Sequence, residues 1–135
     1  MKKEIEAKDF DFEYNGSTHS EKDIIEKGYH QLSGKELLKK ISDKTVYGDY
    51  LMGYKYVTDI YKNGTAEGVN NVGSHNFGSW HINMNDNTLN IKWENGWFDT
   101  ITRAYDINGN IEFYDVDTGN WRTTFKGFKK FIDKD

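Results

Sequence analysis

The carboxylates Glu94, Asp99 and Asp106 fall in a stretch that also holds Trp93, Trp97, Arg103 and Tyr105. Burial beside an aromatic ring raises a carboxyl pKa towards the range useful for proton transfer, so these three are the candidate acids and bases. Arg103 and Arg122 are the only arginines in a chain with 18 lysines and arginines together. Arginine suits planar, bidentate or stacked contacts. Arg103 is therefore expected to pair with Asp99 or to clamp a bound carboxylate, and Arg122, beside Trp121, to stack over an aromatic ring at one end of the fold. His75 and His81 share strand parity, but extended chain separates them by roughly 20 Å. That is too far for a shared metal ion, and both are expected on a polar face or rim. Residues 106–110 and 115–119 are acidic loops without calcium-loop spacing: Lys126 stands where a glutamate should follow Asp115, so hairpin turns are the expectation. The sequence has no phosphate-cradling glycine loop, nucleophile elbow or zincin motif, and no metal or other cofactor is expected.

Aromatic residues make up 16 % of the chain, against 36 % hydrophobic residues in all. Tyr, Phe and Trp must then supply much of the buried area. Trp80, Trp93, Trp97 and Trp121, with Tyr54, Tyr56, Tyr61, Tyr105 and Tyr114, could fill a small barrel solid or line a cavity with a few placed polar groups. The ligand-contacting set expected from this pattern is Tyr54, Tyr56, Trp80, Trp93, Trp97, Asp99, Arg103 and Tyr105.

The elements that must position these residues are mostly strands. From Thr45 onward the apolar period is two, broken by Asn63-Gly64, residues 70–73, residues 85–87, Asn95-Gly96, Asn108-Gly109 and Thr118-Gly119. Breaks about every ten residues, three of them Asn-Gly pairs suited to type I′ hairpins, predict an up-and-down antiparallel meander. Tyr54, Tyr56, Thr58 and Ile60 share one face. Trp80, Ile82 and Met84 share another, as do Leu89, Ile91 and Trp93. The stretch 97–107 puts Asp99 and Arg103 on the same side as Trp97, Ile101, Tyr105 and Ile107, and Trp121, Thr123 and Phe125 alternate with Arg122, Thr124 and Lys126. With no proline to protect an edge, closure into a barrel is favoured over a sandwich.

Before the strands, Ser20 with Glu21 and Asp23 marks a helix start, and Ile24, Ile25, Tyr29 and Leu32 could form its apolar stripe, weakened by Gly28. Ser33 and Glu36 have capping-box spacing, so a second helix runs from Gly34 to about Ser42 and presents Leu37, Leu38 and Ile41 to the core. Residues 1–19 read as a flexible lead-in, with a short strand at 10–14, and residues 20–135 as a single domain. The fold class expected is mainly β: an antiparallel barrel of about 7–8 short strands with a short N-terminal helical segment.

A net charge of −4 with interspersed signs carries no footprint for nucleic acid, and no such partner is expected. The chain has no cysteine, which excludes disulfides, thiol nucleophiles and cysteine-ligated zinc. Lys2 and Lys3 have no apolar run behind them, so neither a signal peptide nor a membrane span is expected within the sequence.

Several short motifs occur in a familiar order: Leu32-Ser33-Gly34-Lys35-Glu36-Leu37, then Lys44-Thr45-Val46-Tyr47-Gly48, Asn63-Gly64, Gly78-Ser79-Trp80, and Leu89-Asn90-Ile91-Lys92-Trp93. Over about residues 28–126 this order resembles a family of small, functionally uncharacterised bacterial domains, often exported, with a calycin-like (lipocalin-like) barrel. Asp43 stands where that family usually has glycine, and Asn90 where it tends to have cysteine, so no disulfide carries over. The resemblance implies the barrel and a periplasmic or secreted location, with a cytoplasmic one still open, and it supplies no catalytic residues.

The leading expectation is a noncatalytic binding module for a small apolar or aromatic ligand, or for a protein partner. One alternative is a small-barrel enzyme acting on an aromatic or carboxylic molecule, as a phenolic-acid decarboxylase does on comparable architecture, with Arg103 as anion clamp and Glu94 or Asp99 as acid or base. Another is an inhibitor or assembly partner acting through its outer surface.

Overall fold

The computed structural model describes residues 10–130, with the backbone alone for Lys130. Two short helices, α1 (Glu21–Glu26) and α2 (Gly34–Ile41), flank a two-residue strand, β1 (His30–Gln31). Eight strands follow: β2 (Lys44–Tyr50), β3 (Lys55–Ile60), β4 (Thr65–Asn70), β5 (His75–Asn83), β6 (Thr88–Trp93), β7 (Thr100–Ile107), β8 (Asn110–Asp115) and β9 (Trp121–Lys130). Each is antiparallel to the next, and β9 returns to β2, with Val46 opposite Phe128. The sheet is a closed up-and-down barrel, an architecture consistent with a calycin-like fold, and closure satisfies the edges that an open sheet would expose. β1 extends the ladder of β7 beyond the end of β6, pairing His30 with Asp106 and Gln31 with Tyr105.

Of the three Asn-Gly pairs between strands, only Asn108-Gly109 forms the two-residue turn with positive φ at both positions (55° and 96°). Asn63-Gly64 and Asn95-Gly96 sit in longer loops where only the glycine has positive φ. Asp43, at the position where the resembling family has glycine, has φ 56°. Aspartate tolerates that left-handed backbone better than most residues, and its carboxylate accepts the Lys62 N–H at 2.8 Å.

Both helices begin in capping boxes: Ser20 with Asp23, and Ser33 with Glu36. α1 stops at Lys27, and Gly28 turns the chain with φ 79°, so the expected stripe divides. Ile24 is buried on the outside of the barrel, Ile25 is exposed, and Leu32 lies beyond the helix in the barrel core. Leu38, expected in the core, faces outward, while Leu37 and Ile41 are fully buried. A Cβ on Gly34 would lie 2.9 Å from the Met84 sulfur and 3.0 Å from Ile82, so glycine lets α2 press onto the end of β5. The Gly34 N–H donates to Asn87 Oδ1 at 2.7 Å and ties α2 to the β5–β6 turn.

The described residues form two apolar clusters. The inner one joins Leu32, Leu37 and Ile41 to inward residues of the barrel such as Val46, Leu89, Phe113 and Phe125, so α2 closes one end. The outer one packs Ile24 of α1 on Tyr105, Tyr114 and Trp121. Of the expected lead-in, residues 1–9 lie outside the described residues. Residues 10–17 cross the outside of β3, β2 and β9, and the expected strand at 10–14 does not form. Lys55 Nζ donates to the Phe10 and Phe12 carbonyls at 2.6 and 3.1 Å. The Asn15 and Gly16 N–H groups donate to Asp49 Oδ2 at 2.9 and 3.1 Å, and Asp49 is thereby buried on the outer face.

Candidate functional site

Antiparallel alternation puts the connections 51–54, 71–74, 94–99 and 116–120 at the end of the barrel away from α2. A cavity of about 450 Å³ opens between the first three. Its floor is Ile41, Ile60, Ala66 and Leu89, its walls include Tyr56, Thr58, Trp80, Ile91 and Phe125, and its mouth is formed by Met52, Tyr54, Val72, Trp97 and Phe98. The volume is in the range of roughly 300–1,000 Å³ typical of small-molecule pockets.

Three inward-facing glycines make room for the aromatic walls. An added Cβ would meet the Tyr56 ring at 2.5 Å from Gly48, the Trp97 ring at 3.0 Å from Gly68, and the Trp93 ring at 2.8 Å from Gly78. In a strand such a position lets another group approach the backbone closely. Trp93 and Trp97 then pack with ring centroids 4.6 Å apart. Trp80 donates its indole N–H to the Tyr61 and Thr65 carbonyls at 2.9 and 3.1 Å, which fixes its ring against the cavity.

The loop 94–99 covers part of the mouth and is held at several points. The fully buried Asn76 donates its amide to the Asn95 carbonyl at 2.6 Å, and its Oδ1 accepts the Asn95 N–H at 3.2 Å. Trp97 Nε1 donates to Ser74 Oγ at 3.0 Å, and Asp99 Oδ1 accepts the Trp93 N–H at 2.9 Å.

Among the described residues, no side chain lining the cavity is ionised at neutral pH. Burial pushes the Tyr56 hydroxyl far above its ordinary pKa although it is hydrogen-bonded to Thr123, and burial also raises Tyr50 against the pull of Arg122. Thr123 Oγ1 donates onward to the Asp49 carbonyl at 2.6 Å. By contrast, Tyr50 Oη and Thr58 Oγ1 are buried without a hydrogen-bond partner among the described residues.

Of the eight residues expected at the site, the fold gathers Tyr54, Tyr56, Trp80, Trp93 and Trp97 around the cavity and disperses the other three. Asp99 is an exposed loop residue that clasps the Trp93 N–H. Arg103 and Tyr105 project from the outer face of β7, where Arg103 Nε and Nη2 donate to Glu21 at 2.5 and 2.9 Å and the Tyr105 hydroxyl donates to Glu21 Oε2 at 2.8 Å. The expected Asp99–Arg103 pairing is replaced by this buried Glu21–Arg103 pair. Burial works against ionisation of Glu21, but hydrogen bonds from Arg103 and Tyr105 outweigh it and lower the carboxyl pKa. Glu94 is exposed, and Asp106 accepts the Gly109 N–H at 3.0 Å as a turn residue.

Trp121, Tyr105 and Tyr114 belong to the outer cluster, and Tyr61 donates to Glu67 at 3.2 Å on the outside of the barrel. Trp121 leaves the inner face because Arg122 is an extra residue in β9: Phe113 pairs with Thr123 but Tyr114 with Trp121. Arg122 meets the stacking expectation in part, its guanidinium lying 5.9 Å from the Tyr50 ring centroid and its Nε 3.9 Å from Asp115. His75 lies 2.9 Å from Glu67, and His81 is exposed. Among the described residues no group of three or more His, Asp or Glu is placed to hold a metal, and no helix is long and apolar enough to cross a membrane.

Sequence reasoning put Thr58 on the face of Tyr56 but gave it no part in the site, and it missed Tyr50, Asn76 and the three inward glycines. Glycine recurring in register with inward-facing aromatics was the available signal. A comparison with protein-family models, curated proteins and solved structures finds no match for this chain.

Proposed function

We propose that this protein is a noncatalytic binding module that holds a small apolar or aromatic molecule in the open half of its barrel. The observation that carries the reading is the aromatic-walled cavity, open between three loops and floored where α2 closes the other end. Its lining offers ring faces and aliphatic surface but no carboxylate, imidazole, amine or guanidinium to move a proton or hold an anion. Arg103, the anion clamp of the enzymatic alternative, is engaged by Glu21 outside the barrel. The motif order that resembles calycin-like bacterial domains supports membership of that group and an exported location as part of the same proposal.

The neutral fluorophore N-phenyl-1-naphthylamine tests it, read both by its own emission and by quenching of the four tryptophans. Saturable binding at micromolar concentration is expected for the native chain. Ala66→Phe, which fills the cavity floor, should abolish binding while far-UV circular dichroism still reports the barrel. Undiminished binding by a folded Ala66→Phe variant would place the probe elsewhere and overturn the reading.

A further inference from the structure

Resting on that reading, we infer that the natural ligand is an uncharged molecule with a flat or branched apolar body and a hydroxyl or carbonyl group that reaches the buried hydroxyls of Tyr50 and Thr58. Two independent observations carry this. First, no described residue lining the cavity is a carboxylate, imidazole, amine or guanidinium, and the guanidinium that lies against the wall, Arg122 over the Tyr50 ring, is ion-paired with Asp115. A carboxylate or ammonium drawn inside would therefore lose its hydration with no lining charge to replace it. On the loop 94–99 at the mouth, Glu94 and Asp99 are acidic and exposed and disfavour an anion at the opening as well, while Lys55, next to Tyr54, is turned outward to the Phe10 and Phe12 carbonyls.

Second, several polar groups of the wall are taken up within the protein, whereas two buried hydroxyls are not. The hydroxyls of Tyr56 and Thr123 and the indole N–H groups of Trp80 and Trp97 are all engaged within the protein. The Tyr50 and Thr58 hydroxyls are buried and unpartnered, and Thr58 is only 4 % exposed. Leaving buried polar atoms unmatched is unfavourable, and each such atom calls for a partner. The residue opposite Thr58 across the ladder is Gly68, so no neighbouring side chain on β4 reaches over to satisfy it. A hydroxyl both donates and accepts, and its complement is a hydroxyl, carbonyl or ether oxygen. Such a pair of anchors fixes the orientation of a ligand whose remaining surface is read only by shape.

Two matched pairs of probes test this. N-phenyl-1-naphthylamine and 1-anilinonaphthalene-8-sulfonate share a body and differ by the sulfonate; the neutral one is expected to bind at least about tenfold more tightly. 2-Naphthol and 2-methylnaphthalene differ in a hydroxyl. Thr58→Val and Tyr50→Phe, both close in shape to the native residues, should each weaken 2-naphthol roughly three- to tenfold and leave 2-methylnaphthalene unchanged or improved. Equal binding of the first pair overturns the uncharged class. Indifference of 2-naphthol to both substitutions, in variants whose thermal unfolding matches the native chain, overturns the two anchors. Failure of every probe to bind sinks the cavity reading itself, an outcome distinct from the other two.

Discussion

The two ends of the barrel are built on opposite principles. At the α2 end, Leu32, Leu37 and Ile41 are buried to within 1 % and pack on inward strand residues, and a glycine lets the helix sit directly on β5. At the other end Met52, Val72 and Phe98 are 76, 68 and 57 % exposed on three separate loops around an open cavity. Large apolar side chains left in water on converging loops do nothing for folding, whereas the same atoms at the α2 end are its main support. The division of labour is between an end that holds the fold and an end that is free to serve a ligand.

The largest effect expected from breaking this contrast is at the closed end. Leu37→Ala should cost about 3 kcal/mol of stability, read by chemical denaturation, because it deletes fully buried methyl groups and leaves a cavity. Next comes the outer face of β7. Arg103→Ala strands Glu21 with only the Tyr105 hydroxyl and should cost roughly 2 kcal/mol, at the modest side for a buried pair because Arg103 is one-third exposed. Binding of N-phenyl-1-naphthylamine should be unchanged, since neither partner faces the cavity. The same pair gives a pH signature with a defined sign. The pKa of Glu21 is lowered on folding, so its stabilisation is present above the ordinary glutamate value of 4.5 and is lost as pH falls through the lower folded value. The stability gap between the native chain and Glu21→Gln should therefore close on acidification below pH 4.5; a gap that widens there would contradict the assignment.

Smaller effects belong to the open end. Asn76→Ala removes both hydrogen bonds to Asn95 and should cost about 1–2 kcal/mol, with faster amide exchange confined to residues 94–99. Phe98→Ala should change stability by less than about 0.5 kcal/mol. It should nonetheless weaken N-phenyl-1-naphthylamine roughly fivefold, about 1 kcal/mol of lost apolar contact. A Phe98 substitution that hurts stability more than binding would erase the distinction between the two ends.

Much of the barrel was legible because period two and turn residues are local signals. The inward set Tyr56, Thr58, Ile60, Trp80, Leu89, Ile91 and Trp93 was readable from alternation alone. β4, Thr-Ala-Glu-Gly-Val-Asn, carried little such signal because alanine, glycine and glutamate are weak strand formers, and only its neighbours define it. The misplacement of Arg103 and Tyr105 came from counting parity from Trp97 across residues that form a loop, although β7 starts only at Thr100. Both faces of β7 are covered, Thr102 and Ala104 on one side and Tyr105 beneath α1 on the other, so burial alone could not reveal the inward one. Glu21 stands 82 residues from Arg103, and no local pattern links them. Trp121 was misassigned for a different reason: a bulge adds a residue and flips every side chain beyond it.

The closed ring of hydrogen bonds also has a kinetic meaning. With no seam between strands and a helix across the far end, any occupant of the cavity enters and leaves by the same three loops. Tightening or loosening the clasp of Asn76 on the loop 94–99 then changes the height of one shared barrier, so arrival and escape speed up or slow down together. Residence time can be tuned through that clasp with little change in equilibrium affinity, while affinity itself is set by the side chains that touch the occupant, from the rings and hydroxyls of the wall to Phe98 at the mouth.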